Sequence, residues 1–140
     1  MSYDIGESVR SRLRSRPAVT SLVGERIFAG VLDQGADLPA VVVQVASNSP
    51  EEDLGGTNRI YPTSVLILAY ADDRPKANEL AYQIREDAFP ANLSGSIEGM
   101  AWQEVSLIDG PTEIEQEPQD GSDIWRRITS QTFVIWNAAL

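Results

Sequence analysis

The stretch VLILAYADDRPKANELAYQIR, residues 65–85, contains the transition that decides the fold. Its first six residues are apolar on both faces of an extended chain. This predicts a strand covered on both sides by the chain, or on one side by a neighbouring subunit. Asp72 to Pro75 then supply an acidic N-cap and a proline in the first turn, the usual start of a helix. From Ala77 onward apolar residues recur every three or four positions, so we predict an amphipathic helix that ends at Pro90.

The N-terminal part of the chain contains a second helical pattern. Apolar residues recur every fourth position from Ile5 to Leu13, after Asp4 as a suitable N-cap, and Pro17 ends the pattern. A short helical turn is predicted from Pro17 to a stop at Gly24. Extended patterns rich in β-branched and aromatic residues predict five strands, at residues 26–31, 40–46, 60–71, 100–107 and 124–136.

The order of these elements is helix, short turn, three strands, helix and two strands. Strands joined by short connections pair mostly antiparallel, and each amphipathic helix must bury one face. We therefore predict an α+β fold, with a mostly antiparallel β-sheet of about five strands and two α-helices packed on one face. Neither an internal repeat nor a linker-like composition divides the chain, so residues 1–140 are expected to form a single domain.

Charge and hydropathy exclude several classes of protein. The 140 residues include 21 acidic and 11 basic side chains, for a formal net charge of −10. Affinity for nucleic acid comes mainly from cations that replace phosphate counterions, so this balance argues against a DNA- or RNA-binding protein. An anionic membrane surface would repel the chain in the same way, and no apolar run reaches the ~20 residues of a membrane span. The N-terminus lacks the apolar core of a secretory signal, so we expect cytosolic synthesis.

Cysteine and histidine are both absent from the chain. Their absence excludes disulfides, thiolate nucleophiles, classical structural zinc sites and the usual catalytic triad. The pair Gly55-Gly56 lacks the lysine of a phosphate-binding P-loop, and the acidic pairs at residues 51–53 and 72–73 lie beside turn signals. We therefore predict no catalytic, cofactor-binding or metal-binding residues, which leaves a non-enzymatic assembly or adaptor role.

An acidic loop, residues 109–123, separates the last two predicted strands and contains no basic residue. Its carboxylates belong to Asp109, Glu113, Glu115, Glu117, Asp120 and Asp123. Carboxylate oxygens are the ligands that Ca²⁺ prefers, but their spacing does not follow the EF-hand pattern and Pro118 interrupts it. A solvated acidic hairpin is the simplest interpretation. The alternative is that the loop presents negative charge to a molecule that must not adhere.

The only concentration of positive charge lies on the first predicted helix. Arg10 and Arg14 are one helical turn apart, so they can share one acidic partner. One interpretation is a solvated helix face. The other is a subunit interface, in which this face docks onto an acidic surface of a neighbouring copy.

Several motifs in a fixed order together resemble the tail terminator, or tail completion, proteins of long-tailed bacteriophages and prophages. After the first helix the motifs are LVGERIFAG (22–30), LPAVVVQV (38–45), DLGG (53–56), AYAD (69–72), ANELAYQIR (77–85) and FVIW (133–136). The resemblance covers about residues 5 to 136. Each motif consists of core and turn residues, so the order and spacing carry the resemblance.

The resemblance implies a structural virion protein without catalytic residues. Proteins of this family form a six-membered ring on the head-proximal end of the tail tube, stop tube polymerisation and present a surface to the head–tail connector, or stopper. The partners implied are further copies of the chain, the tail-tube protein and the connector, with no membrane. DNA is expected to pass through the lumen without specific binding. The protein would be made in the cytoplasm of the host bacterium and reside in the tail or neck of the virion.

We also expect the acidic loop to face the lumen or the tube end, because an acidic lining repels phosphates. The family resemblance does not specify this placement. Three other functions stay open at the level of sequence: a head-side neck protein (stopper or adaptor), a small cytosolic ligand-binding or regulatory α+β domain and, last, a carboxylate-dependent hydrolase.

Overall fold

A computed structural model describes residues 5–32, 36–48, 61–91, 93–97, 99–117 and 126–139. The helices in these ranges are α1 (Ile5–Arg14), α2 (Pro17–Val23) and α3 (Arg74–Gln83), and α3 continues into a π-helical turn (Ile84–Ala88). The strands are β1 (Ile27–Ala29), β2 (Ala40–Asn48), β3 (Tyr61–Ala71), β4 (Gly95–Ile97), β5 (Met100–Gln116) and β6 (Arg126–Ala139).

The strands form one sheet in the order β1-β2-β3-β6-β5-β4. β1 is parallel to β2, and the other neighbouring pairs are antiparallel. β3 and β6 lie at the centre, and their register pairs Val65 with Phe133 and Ile67 with Gln131. The long strands β5 and β6 pair from Met100↔Ala139 to Gln116↔Arg126, so they extend well beyond the short edge strand β4.

One face of the sheet, here called the helix face, carries the main hydrophobic core. All three helices and the π-helical turn contribute buried side chains to this cluster. Phe89, which follows the π-helical turn, has its ring centroid 5.8 Å from that of Trp102 on β5 and 5.4 Å from that of Phe133 on β6. Since Trp102 and Phe133 are both 1% exposed, these aromatic contacts fasten the end of α3 to the sheet.

The opposite face, here called the open face, has a smaller core. Leu32, Ala36 and Leu38, from the connection between β1 and β2, pack with Tyr70 of β3 and Ile128 of β6. Farther along β3 and β6, side chains on this face are only partly buried. The two faces are thus covered unequally: helices cover one, and a connecting segment covers part of the other.

The predicted α+β class and the mostly antiparallel sheet are confirmed, and the helices lie on one face. The sheet has six strands rather than five, because Gly95–Ile97 adds a short edge strand beside β5. The three residues of this strand include a glycine and a serine, so their β-propensity is too weak to predict a strand. The turn predicted after Pro17 is a seven-residue helix, which makes three α-helices rather than two.

The predicted acidic loop also differs from the structure. β5 continues through Gln116, so residues 109–116 form a strand. The ladder with β6 supplies backbone partners that composition does not reveal, from Asp109↔Thr132 to Glu115↔Arg127. The predicted helix start is confirmed, since the Asp73 carboxylate accepts a hydrogen bond from the Lys76 backbone N–H at 2.8 Å. Asp4, the Gly-Gly turn and the acidic pair at residues 51–53 lie outside the described residues.

Candidate functional site

The acidic part of β5, residues 109–117, is here called the acidic arm. Asp109, Glu113, Glu115 and Glu117 are all exposed. The remaining two carboxylates of the predicted acidic loop, Asp120 and Asp123, lie outside the described residues. The arm therefore brings four carboxylates to one surface of the described chain, and it does so on a hydrogen-bonded strand.

Helix α3 holds two of these carboxylates. Arg74 Nε lies 3.3 Å from Glu113 Oε2, and its Nη2 lies 3.2 Å from Glu115 Oε1. Arg127 of β6, which pairs with Glu115 across the ladder, adds a longer contact of 3.6 Å from its Nε to the same oxygen. About half of each carboxylate is exposed, so these ion pairs fix the position of the arm more than they stabilise the fold.

A chain of polar contacts reinforces this link. Asn78 Nδ2 donates to Glu113 Oε1 at 2.8 Å, and its own Oδ1 accepts from Thr129 Oγ1 at 2.7 Å. Thr129 is 1% exposed, so this series of hydrogen bonds links the buried face of β6 through α3 to the arm. One surface of α3 thereby contacts both β5 and β6. Among the described residues, Asp109 and Glu117 form no ion pair, so the arm keeps negative charge.

The structure places Arg10 and Arg14 together around one carboxylate on α1. Arg10 Nη2 lies 2.8 Å from Glu7 Oε2, and Arg14 Nη1 lies 3.3 Å from Glu7 Oε1. The hydrogen bond from Arg10 is the main cause that lowers the pKa of Glu7, and the charge of Arg14 acts in the same direction. The Arg10 side chain is 15% exposed and that of Arg14 46%, so Arg14 is the more accessible cation.

The other two arginines of this region hold the π-helical turn. Arg12 Nε donates to the backbone oxygen of Ala88 at 2.9 Å. Arg16 makes a two-point contact with Asp87, at 2.9 and 3.0 Å. This hydrogen bonding lowers the pKa of Asp87 and raises that of Arg16. The basic cluster thus divides by function: two arginines anchor the end of α3, and two surround Glu7.

Sequence reasoning missed the partners in both regions. Arg74 and Glu115 are 41 positions apart, and Arg16 and Asp87 are 71 apart. No local spacing announces contacts over such separations, because helix pairs interact only at three or four positions. The sequence predicts for Arg74 only a place in the start of a helix.

The described residues contain no group of three or more acidic side chains arranged to hold a metal ion. In the same residues, no helix combines the length and apolar character that a membrane span requires. What the described surfaces offer chemically is segregated charge: a carboxylate-rich arm at one place and an arginine cluster on α1 at another.

Comparisons with known proteins point to one family. The model of the family described as "Tail completion protein gp17" matches residues 7–106. A search of curated protein sequences returned no match. Among solved structures, the chain is similar to a chain from the "Virion of native gene transfer agent (GTA) particle". That similarity has a TM-score of 0.64 at 15% sequence identity, and it covers 98% of this chain and 100% of the other. At this identity the structural match shows the fold alone.

Proposed function

The chain belongs to the tail completion protein gp17 family, and on that premise we propose that it forms a hexameric ring on the head-proximal end of a bacteriophage tail tube. The ring ends polymerisation of the tube and presents a joining surface to the head-side connector. The family match over residues 7–106 is the observation that carries this proposal. The family match supports a structural protein of the phage tail. We add the proposal that the protein forms a ring and caps the tube.

The charge distribution supports a head-to-tail ring. In such a ring one surface of each subunit meets a different surface of the next, so the two surfaces can carry opposite charges. The α1 cluster of Arg10 and Arg14 supplies the positive surface, and its exposed member, Arg14, is able to reach a second carboxylate beyond Glu7. The chain's excess of 21 acidic over 11 basic residues supplies acidic surface to meet it.

The acidic arm, in this proposal, faces the lumen or the tube end. Arg74 and Arg127 offset part of its charge, but Asp109 and Glu117 add carboxylates with no ion pair among the described residues. A lining of net negative charge repels the phosphates of passing DNA and keeps them from adhering. Because α3 fixes the arm, the carboxylates would hold a constant position around the ring.

The proposed partners are further copies of the chain, the tail-tube protein and the head–tail connector protein. DNA passes through the lumen without specific binding. The role is structural, with no catalytic residue assigned. The protein would be made in the cytoplasm of the host bacterium and would reside in the tail or neck of the virion.

Native mass spectrometry of the chain, alone and with purified tail-tube protein, tests the ring. We expect a species of six times the mass of the chain, formed alone or on tube ends, and shorter tubes when the chain is present during tube assembly. Binding to the connector but not to the tube would instead identify a head-side stopper or adaptor. A stable monomer or dimer that binds neither would contradict the virion role and favour a small regulatory domain.

Charge reversal tests the proposed interface. We expect the double variant Arg10→Glu, Arg14→Glu to weaken the ring, with a larger effect at low salt than at 0.5 M salt because exposed charges are screened. Lys76→Glu is the control, since Lys76 is an exposed cation on α3 whose ion pairs are local, with Asp72 and Asp73. Equal loss of the ring in both variants would contradict a specific role for α1.

Replacing acids tests the placement of the arm. Serine at Asp109, Glu113, Glu115 and Glu117 should impair capping of the tube or ejection of DNA. A control with serine at the exposed Glu25 and Glu79 keeps the acids of the arm. Fully infectious particles built with the arm variant would overturn the placement without affecting the ring.

A further inference from the structure

The outer edge of β5 lacks a neighbouring strand over most of its length. β4 pairs only with residues 100–102, and no strand in the described ranges pairs with the remainder of that edge. None of the described hydrogen bonds outside the helices and the sheet uses a backbone group of residues 103–116. An edge with unpaired N–H and C=O groups is a template on which an extended segment can add a strand.

Two parts of this edge keep an unbroken register with β6, residues 104–107 and residues 112–116. The register with β6 shifts between Trp102 and Glu104, between Leu107 and Asp109, and again before Thr112. Pro111 also lacks an N–H group to donate. Shifts and prolines of this kind blunt a sheet edge. Of the two regular stretches, residues 104–107 carry a single acidic side chain, whereas residues 112–116 include Glu113 and Glu115, which Arg74 already holds.

The same four residues form one wall of a cleft of about 400 Å³. The opposite wall comes from the π-helical turn and the residues after it, including Arg85, Phe89 and Ala91. Arg85 is already held there, since its Nη1 donates to Gln131 Oε1 at 2.9 Å and its Nε lies 3.2 Å from Glu86 Oε1. These contacts offset the charge of Arg85. The cleft is therefore a groove that runs beside the unpaired edge of β5. We call it the edge groove, and its lining consists of Arg85, Glu86, Phe89, Ala91 and residues 104–107.

The side chains along the groove alternate in chemistry. Val105 and Leu107 pair with Ile135 and Phe133 and thus lie on the helix face, where Phe89 packs. Leu107 is 38% exposed, so it presents apolar surface to an incoming chain. Glu104 lies on the open face, and it forms no ion pair with any described residue. A strand added here would meet apolar surface with one set of side chains and negative charge with the other.

We propose that the edge groove binds an extended segment of a partner protein in which apolar side chains alternate with lysine or arginine. The apolar side chains lie against the exposed Leu107, and the basic ones lie beside Glu104 and Asp109. The same edge of a second copy does not fit, because it would bring identical carboxylates together. The proposal goes beyond the ring and does not depend on it, since it rests on the strand edge and its charge.

The test uses the full chain and a synthetic peptide, Lys-Val-Lys-Val-Lys-Val-Lys, followed by amide NMR. We expect shifts and slower hydrogen exchange at the amides of residues 103–107, with affinity that falls as salt rises. Two control peptides separate the contributions: one has glutamate in place of lysine, and the other has proline in place of the central valine. Binding of the proline peptide at equal affinity, or shifts confined to other strands, would overturn the proposal.

Variants of the groove provide an independent measurement. Leu107→Ser should weaken the peptide about tenfold, whereas Ile114→Ser should leave the affinity unchanged. Ile114 is a matched control, because it is 44% exposed on the same strand and outside the groove. Glu104→Gln removes a negative charge and keeps the volume of the side chain. It should make the affinity for the peptide depend less on salt. Unchanged affinity in both groove variants would overturn the proposal, as would self-association through this edge that the peptide displaces.

Discussion

The two halves of β5 are parts of one strand that are held by different forces. In the first half, Met100, Trp102 and Val105 are all less than 5% exposed and belong to the main core. In the second half, the side chains from Leu107 to Glu115 are exposed apart from Gly110, which is intermediate. The first half is held by apolar burial. The second is held by the backbone ladder with β6 and by the polar contacts of Arg74 and Asn78.

This difference shows how one strand can serve both the fold and the surface. Apolar burial contributes a few kcal/mol per large side chain, while exposed ion pairs contribute about 0–1 kcal/mol each. The core half therefore determines whether the chain folds. The acidic half is placed precisely enough to present charge, but it adds little to global stability. The boundary between the two halves lies between Val105, which is buried, and Leu107, which is exposed.

The largest expected effect comes from emptying the core half. Trp102→Ala should lower the free energy of unfolding by about 3–5 kcal/mol, because it leaves a cavity beside Phe89 and Phe133. Urea denaturation followed by circular dichroism measures the change. Ile108→Ala is the control in the exposed half and should shift the unfolding free energy by less than about 0.5 kcal/mol. Similar losses in the two variants would abolish the distinction between the halves.

A glycine within the exposed half offers the next largest effect. Gly110 has φ +95°, and a Cβ there would overlap the backbone oxygen of Ser130. Gly110→Ala should cost about 1–3 kcal/mol and should also loosen the ladder of the arm. Gly99→Ala is the matched control, with φ +88° but nothing within 4 Å of the added atom. We expect hydrogen exchange at residues 112–116 to accelerate only in the first variant; acceleration in both would trace the effect to φ alone.

The ion pair between Arg16 and Asp87 lies outside β5. Removing it measures how much a two-point contact contributes to the free energy of unfolding away from the arm. Asp87→Asn should lower stability by about 0.5–1 kcal/mol at pH 7. Because hydrogen bonding to Arg16 lowers the pKa of Asp87 from its ordinary value of 3.8, this contribution is complete above that value. It is lost as pH falls through the lowered pKa. The gap between wild type and variant should therefore close in acid, and a gap constant from pH 7 to pH 2 would contradict the pairing.

The smallest global effect is expected from the arm itself. Arg74→Ala removes contacts with Glu113 and Glu115 that are half exposed, so the free energy of unfolding should fall by no more than about 0.5 kcal/mol. Local exchange at residues 112–115 should nevertheless rise severalfold, because the arm loses its attachment to α3. Lys76→Ala, on the same helix, should change neither quantity. A global loss as large as that of Trp102→Ala would mean that the arm belongs to the core.

Particular residues show how far sequence reasoning reached. The apolar spacing from Ile5 to Leu13 predicted α1, and Asp73 with the following proline predicted the start of α3; both are in place. The acidic composition of residues 109–116 predicted a loop where a strand exists. The composition of a segment indicates how well water solvates it. Here the segment is a strand because β6 pairs with its backbone, and the segment's own residues do not predict that pairing.

The sequence by itself determined the α+β class, the position of most helices and strands, the excess of negative charge and the likeness to tail completion proteins. These features follow from local periodicity, capping residues and motif order, which act over a few positions along the chain. Only the tertiary structure decided that Arg74 fixes the arm, that Arg16 holds Asp87 and that residues 104–107 border an open groove. Such contacts join residues dozens of positions apart, and they depend on the order of strands in the sheet, which no local pattern specifies.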